Sequence, residues 1–162
     1  MNDSSKKFNK DAQFQIVRVE FEMTQNQMDK YDDISVKIKT WAATLWGASI
    51  GWSFQTKNKE ILLLGLAMTI FFWMIDVVNK NFRTNYKTRR NEVVKAMNEY
   101  FQKGEWPKDF ISPEPPPNKK IEIRNVVLMP HIFLFYIALF FLAILLFFIM
   151  SETKFLSMSK FF

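Results

Sequence analysis

The chain has no cysteine, which excludes disulfides, thiolate nucleophiles and cysteine metal sites. His131 is its single histidine and only 4 residues are glycine. No Ser/His/Asp set, no HExxH motif, no Cys/His metal spacing and no glycine-rich phosphate loop can be built from this inventory. The expectation is a protein that is not an enzyme and carries no cofactor and no metal. The first 35 residues also lack an apolar run followed by small residues, so no secretory signal peptide is expected.

What is present is divided unevenly. A mean hydropathy of −0.08 averages two opposite populations. Charge crowds into Met1–Lys39 and Asn79–Arg124, whereas Val126–Met150 is a run of 25 residues with no charged side chain and 6 of the 18 phenylalanines. At 1.5 Å per residue such a helix covers roughly 37 Å, enough for a hydrocarbon core of about 30 Å. Pro130 lies in its first turns, where a missing N–H costs least. Ile61–Val78 reads as a second span, with Asp76 near its end and Trp73, Lys80 and Arg83 as interfacial anchors. Trp41–Phe54 offers 14 uncharged residues, and extension back to Ile34 takes in Lys37 and Lys39. It reads as the first leg of a tight hairpin closed by Gln55–Glu60, with an interfacial helix as the alternative.

The expected fold is therefore a mainly α membrane protein with three transmembrane helices and a small cytoplasmic α/β portion. Lys and Arg number 7 in Met1–Thr40, 2 in Gln55–Glu60, 11 in Asn79–Asn125 and 2 in Ser151–Phe162. The positive-inside rule then puts the N-terminus in the cytoplasm and the C-terminus outside. Within the cytoplasmic pieces, Arg18–Met23 and Lys120–Arg124 alternate polar and apolar residues, the pattern of two short strands, the first beginning near Phe14 (about 14–23). From Asn26 the spacing turns helical and runs into the first span. Phe82, Tyr86, Val93, Met97 and Tyr100 share one helical stripe, which predicts that the second span continues to Lys103 with Gly104 as its stop. Pro115–Pro117 marks a stiff extended connector.

Three groups of residues are candidates for function. Thr40, Ala43, Thr44, Gly47, Ala48, Gly51 and Gln55 share one small, mildly polar helix face. Such a face either packs closely on another helix or lines a narrow aqueous path in an oligomer. Lys80, Arg83, Lys87, Arg89, Arg90 and Lys95 form a basic run interleaved with Phe82 and Tyr86. This run serves as a membrane-surface excess of positive charge attracting anionic lipid, or as a site for an anionic ligand, a nucleotide or oligonucleotide. Asp76 and His131 are the candidates for gating. The simpler reading of Asp76 is an i,i+4 ion pair with Lys80, and that of His131 is an interfacial hydrogen-bonded side chain.

The layout of a tight apolar hairpin, the helix FWMIDVVNKNFRTNYKTRRNEVVKAMNEYF, a Pro-rich connector and a final apolar run opening NVVLMPHIFLFYIALF resembles a known type of protein. It is similar to small bacterial three-span membrane effectors of anti-phage systems, in particular Hailong-type effectors paired with a nucleotidyltransferase. Its hairpin and basic helix are also similar to SLATT-type effectors, which lack the third span. The resemblance covers roughly Ile34–Met150. It implies a homo-oligomer in the bacterial inner membrane that opens and depolarises the cell in response to an oligonucleotide or nucleotide signal. A non-conducting scaffold that recruits a soluble cytoplasmic partner is the alternative. No functional residue of those families maps onto a position here.

Overall fold

A computed structural model describes residues 3–117 and 126–158. Three helices make up its regular structure: α1, Asp3–Thr56; α2, Ile61–Lys103; and α3, Pro130–Met158. They contribute to two compact units, one of Met1–Asp33 with Lys80–Lys120 and one of Ile34–Asn79 with Ile121–Phe162.

These findings correct the expected fold class in two respects. The described residues are all-helical and hold no strand, so the α/β portion is replaced by helix. Arg18–Met23 lies inside α1, and Lys120–Arg124 falls outside the described residues. The alternation from Arg18 to Met23 spans too few residues to outweigh a longer helical pattern. Val17, Glu20, Thr24, Met28, Ser35, Ile38, Ala42, Trp46 and Ser53 are buried, with Tyr31 and Ser49 half-buried between them. Their steps of three and four average the 3.6 residues of a straight helix turn, so the stripe stays on one side of α1 throughout. Much of this stripe is polar, which hides it from a hydropathy reading.

The second correction concerns the spans. Among the described residues two helices, not three, are long and apolar enough to cross a membrane: α2, whose most apolar window has a mean hydropathy of 2.4, and α3, with 3.1. α1 does not reach that threshold, because its 14-residue uncharged run is too short and the extension backwards adds lysines. Only 28% and 17% of the α2 and α3 windows are buried. Core helices of a soluble domain bury most of their apolar face, whereas these two leave most of it exposed, as a helix that crosses a membrane does.

The helix ends follow from local chemistry. Lys57 leaves α1 with a left-handed φ of 55°, and the Asn58 amide donates back to the Ser53 carbonyl at 3.1 Å. Asn58 then caps the next helix: its Oδ1 accepts from the Glu60 amide at 3.0 Å. α2 ends at Lys103, and Gly104, at φ 72°, returns its N–H to the Tyr100 carbonyl at 2.8 Å. Pro130 opens α3, where a helix start leaves N–H groups unused in any case.

In the unit of Ile34–Asn79 and Ile121–Phe162, Ala42, Val77, Val126, Ile132 and Tyr136 form the core, with Phe72, Trp73 and Phe135 against it. α1 and α2 approach closely at Gly65, where a Cβ would stand 3.1 Å from that of Ser49. The other unit buries Val17, Met28, Val93 and Ala96. It also stacks Tyr100 on Trp106 with ring centroids 4.4 Å apart, Trp106 on Phe110 at 5.9 Å, and Tyr31 on Phe82 at 6.2 Å.

Candidate functional site

Two buried charges organise the molecule, each inside one unit. In the unit of Ile34–Asn79 and Ile121–Phe162, Asp76 is fully buried on the apolar stretch of α2. Three donors from two other helices converge on its carboxylate. Ser35 Oγ of α1 donates at 2.6 Å, Tyr136 Oη of α3 at 3.4 Å, and Lys39 Nζ of α1 lies at 3.6 Å. A carboxylate in an apolar setting is costly unless charge and hydrogen bonds compensate it, and here both do. The partners are long-range; the local pair with Lys80 does not form. Lys80 Nζ turns instead to Asp32 at 3.1 Å, which Arg83 Nε also reaches at 2.7 Å.

Burial would push the Asp32 carboxyl up, but hydrogen bonds and charge from Arg83 and Lys80 outweigh that and hold it below the ordinary value. A depressed folded-state value means the contribution to stability is complete above the unfolded carboxyl value, near 4. It is lost as pH falls through the folded value. Acid below about pH 4 is therefore expected to loosen the α1–α2 pairing around Asp32, and Asp32→Asn to flatten that acid limb. Fluorescence-monitored unfolding at stepped pH checks this. An unchanged acid limb in the variant would count against it.

The second buried charge is Arg89, in the unit of Met1–Asp33 and Lys80–Lys120. Its side chain is 3% exposed, and Nε meets Glu20 Oε1 at 2.7 Å. Nη1 reaches Glu92 at 3.3 Å and Glu114 at 3.2 Å, and Nη2 donates to the Ile111 carbonyl at 2.6 Å. The Phe110 ring lies 5.4 Å beneath the guanidinium. Glu20 also accepts from Ser112 Oγ, and from the Glu114 amide at 3.3 Å. Burial alone would lower the Arg89 value, but hydrogen bonds and charge from Glu20, Glu92 and Glu114 raise it, so the guanidinium stays protonated. Its fork geometry fits this role, binding α1, α2 and the connector through one side chain.

The basic run is thus largely occupied by its own chain. Lys80 and Arg83 are paired with Asp32, Arg89 is surrounded by three glutamates, and Arg90 Nη1 donates to Gln25 at 3.0 Å. Lys87 and Lys95 are exposed. Arg89 and Lys95 share a cleft of about 520 Å³ with Glu92, Glu99, Asp109 and Glu114, a lining whose acids outnumber its bases. A larger groove of about 740 Å³ runs between α1 and the Pro-rich connector, lined by Ile16, Val19, Met23, Tyr86, Pro113 and Pro115 among others. Among the described residues no lysine or arginine lines it, and their chemistry suits an apolar rather than an anionic occupant. Among the described residues no group of His, Cys, Asp and Glu is arranged to hold a metal ion.

The small face of α1 is the reverse of the buried stripe. Thr40, Ala43, Thr44, Gly47, Ala48, Gly51 and Gln55 are all exposed, and a Cβ at Gly47 or Gly51 would meet nothing within 4 Å. The Thr40 and Thr44 hydroxyls each donate back to the carbonyl four residues earlier, at 2.9 Å. His131 is exposed in the first turn of α3. Sequence reasoning missed Glu20, Asp32, Ser35, Glu114 and Tyr136. The available signal was charge: a carboxylate within an apolar run, and buried-stripe positions occupied by Glu and Ser.

No family model, curated protein or solved structure matches the chain.

Proposed function

We propose that the chain is the membrane-anchored subunit of a homo-oligomer, and that the oligomer is a non-enzymatic effector of a bacterial anti-phage system acting on membrane potential. The observation that carries the oligomer is the exposed face of Thr40, Ala43, Thr44, Gly47, Ala48, Gly51 and Gln55. Within the chain, α1 packs through its opposite side, so this face is left for another helix to approach closely. The anti-phage role and the effect on potential rest on the resemblance in layout. Leu at Gly47 or Gly51 is expected to reduce the oligomer to a smaller species without disturbing the subunit, since neither site touches its own chain. Light scattering in detergent reads the assembly, and a potential-sensitive dye reads the cell. Unchanged assembly in both variants would refute the role given to this face.

In this reading Asn79–Asn125, with its 11 lysines and arginines, faces the cytoplasm of the inner membrane, and the turn before α2 and the C-terminal end lie outside. The cysteine-free chain makes this simple to test. In intact cells a membrane-impermeant maleimide is expected to label Lys57→Cys, before α2. It is expected to label Lys108→Cys, after α2, only once the cells are opened. The reverse pattern would invert the orientation.

A second reading, a non-conducting scaffold that recruits a soluble cytoplasmic partner, is favoured by the internal pairing of Lys80, Arg83 and Arg89. These side chains reach an anionic signal only by giving up Asp32, Glu20, Glu92 or Glu114. An unaltered potential in cells where the assembled protein is triggered by infection selects the scaffold.

A further inference from the structure

We infer that the end of the molecule formed by the α1–α2 turn and the close of α3 carries a binding site for one anionic phospholipid, distinct from the basic run of α2. Lys59 stands just ahead of the apolar stretch of α2, and Ser151 just beyond that of α3, at the depth where both helices meet the headgroups. Lys59 Nζ donates to Ser151 Oγ at 3.2 Å and lies 4.7 Å over the Phe147 ring. Among the described residues those contacts hold the ammonium and engage one of its three N–H donors in a hydrogen bond, so the others can serve a headgroup oxygen. Phe147 is shared with an apolar groove of about 170 Å³, lined by Leu62, Leu66, Ala143, Ile144 and Phe148 among others. The cation therefore sits at one end of a greasy channel that starts a helical turn deeper, at Leu62.

That pairing matches a glycerophospholipid: phosphate at Lys59, one acyl chain along α2 and α3. The exposed Lys57 and the positive end of the α2 helix add to the attraction. Glu60, exposed in the same turn, opposes it. A free phosphate would engage Lys59 but leave the groove unfilled; a zwitterionic lipid would fill the groove but bring a second, repelled cation. An anionic lipid satisfies both ends, and the membrane supplies it.

The test uses the full chain in neutral detergent, with phosphatidylglycerol, phosphatidylcholine or inorganic phosphate added in turn, read by native mass spectrometry and thermal midpoint. Wild-type protein is expected to retain phosphatidylglycerol severalfold over phosphatidylcholine. Lys59→Met should bring the two to parity, Glu60→Gln should widen the preference, and Ala143→Trp should reduce retention of both lipids. Lys87→Gln with Lys95→Gln should leave the preference intact, separating this site from the basic helix. A preference unchanged in Lys59→Met, or abolished by the Lys87 and Lys95 changes, would overturn the assignment. Stabilisation by inorganic phosphate equal to that by phosphatidylglycerol would overturn it as well. Glu60→Gln retains Lys59 and every contact of the turn, so a folding defect in Lys59→Met does not decide the outcome.

Discussion

Replacing Lys39 by Met is expected to destabilise the helix packing around Asp76 by about 3–5 kcal/mol, the cost of leaving one partner of a buried ion pair uncompensated. The Asp76 carboxylate would keep Ser35 Oγ at 2.6 Å and Tyr136 Oη at 3.4 Å but lose the Lys39 cation. Removing the acid as well should recover most of the loss. In Lys39→Met/Asp76→Leu no charge remains to be compensated, and apolar side chains of similar size are often neutral or better in such positions. Asp76→Asn alone falls between, since an amide still accepts from the two hydroxyls, at a cost of about 1–3 kcal/mol. Reversible unfolding in mixed micelles, with Asp76→Leu as the remaining single variant, completes the double-mutant cycle. A Lys39→Met variant within about 1 kcal/mol of wild type would show that the charge on Lys39 does not compensate Asp76.

Arg89→Met is expected to have the second large effect, again about 3–5 kcal/mol, because it leaves Glu20 buried without its cation. Its signature differs. The guanidinium holds the Ile111 carbonyl and Glu114, so its loss should free the connector from Trp106 to Pro117 while α1 and α2 remain helical. Hydrogen exchange at the Glu114 amide, which donates to Glu20, should accelerate by a hundredfold or more, and proteolysis should begin in the connector. Arg89→Lys retains the charge but not the fork, so it should rescue only part of the protection. Exchange at Glu114 unchanged in Arg89→Met would refute the clamp.

Some of this architecture was legible in the chain. The extent of α2 followed from one helical stripe and a glycine stop, and α3 from an unbroken apolar run, because both signals are local and repeat over many residues. The strand expected at Arg18–Met23 failed for the opposite reason. Six alternating residues looked stronger than a stripe whose buried members are Glu20 and Thr24. The partners of Asp76 and Arg89 lie 22 to 69 positions away in sequence, apart from the neighbouring Glu92. A basic run read in isolation looks available, and only the fold reveals the acids that neutralise it.

The side-chain hydroxyls along the open face of α1 have a mechanical consequence. Thr40 and Thr44 keep their protons within their own helix, so in the proposed oligomer a neighbouring subunit would meet methyl groups, glycine Cα hydrogens and hydroxyl oxygens whose protons are already in use. Such a seam has no directional bonds to break when one helix slips or turns against another. Adjacent subunits would glide on it, and any preferred register must be imposed from elsewhere in the protein.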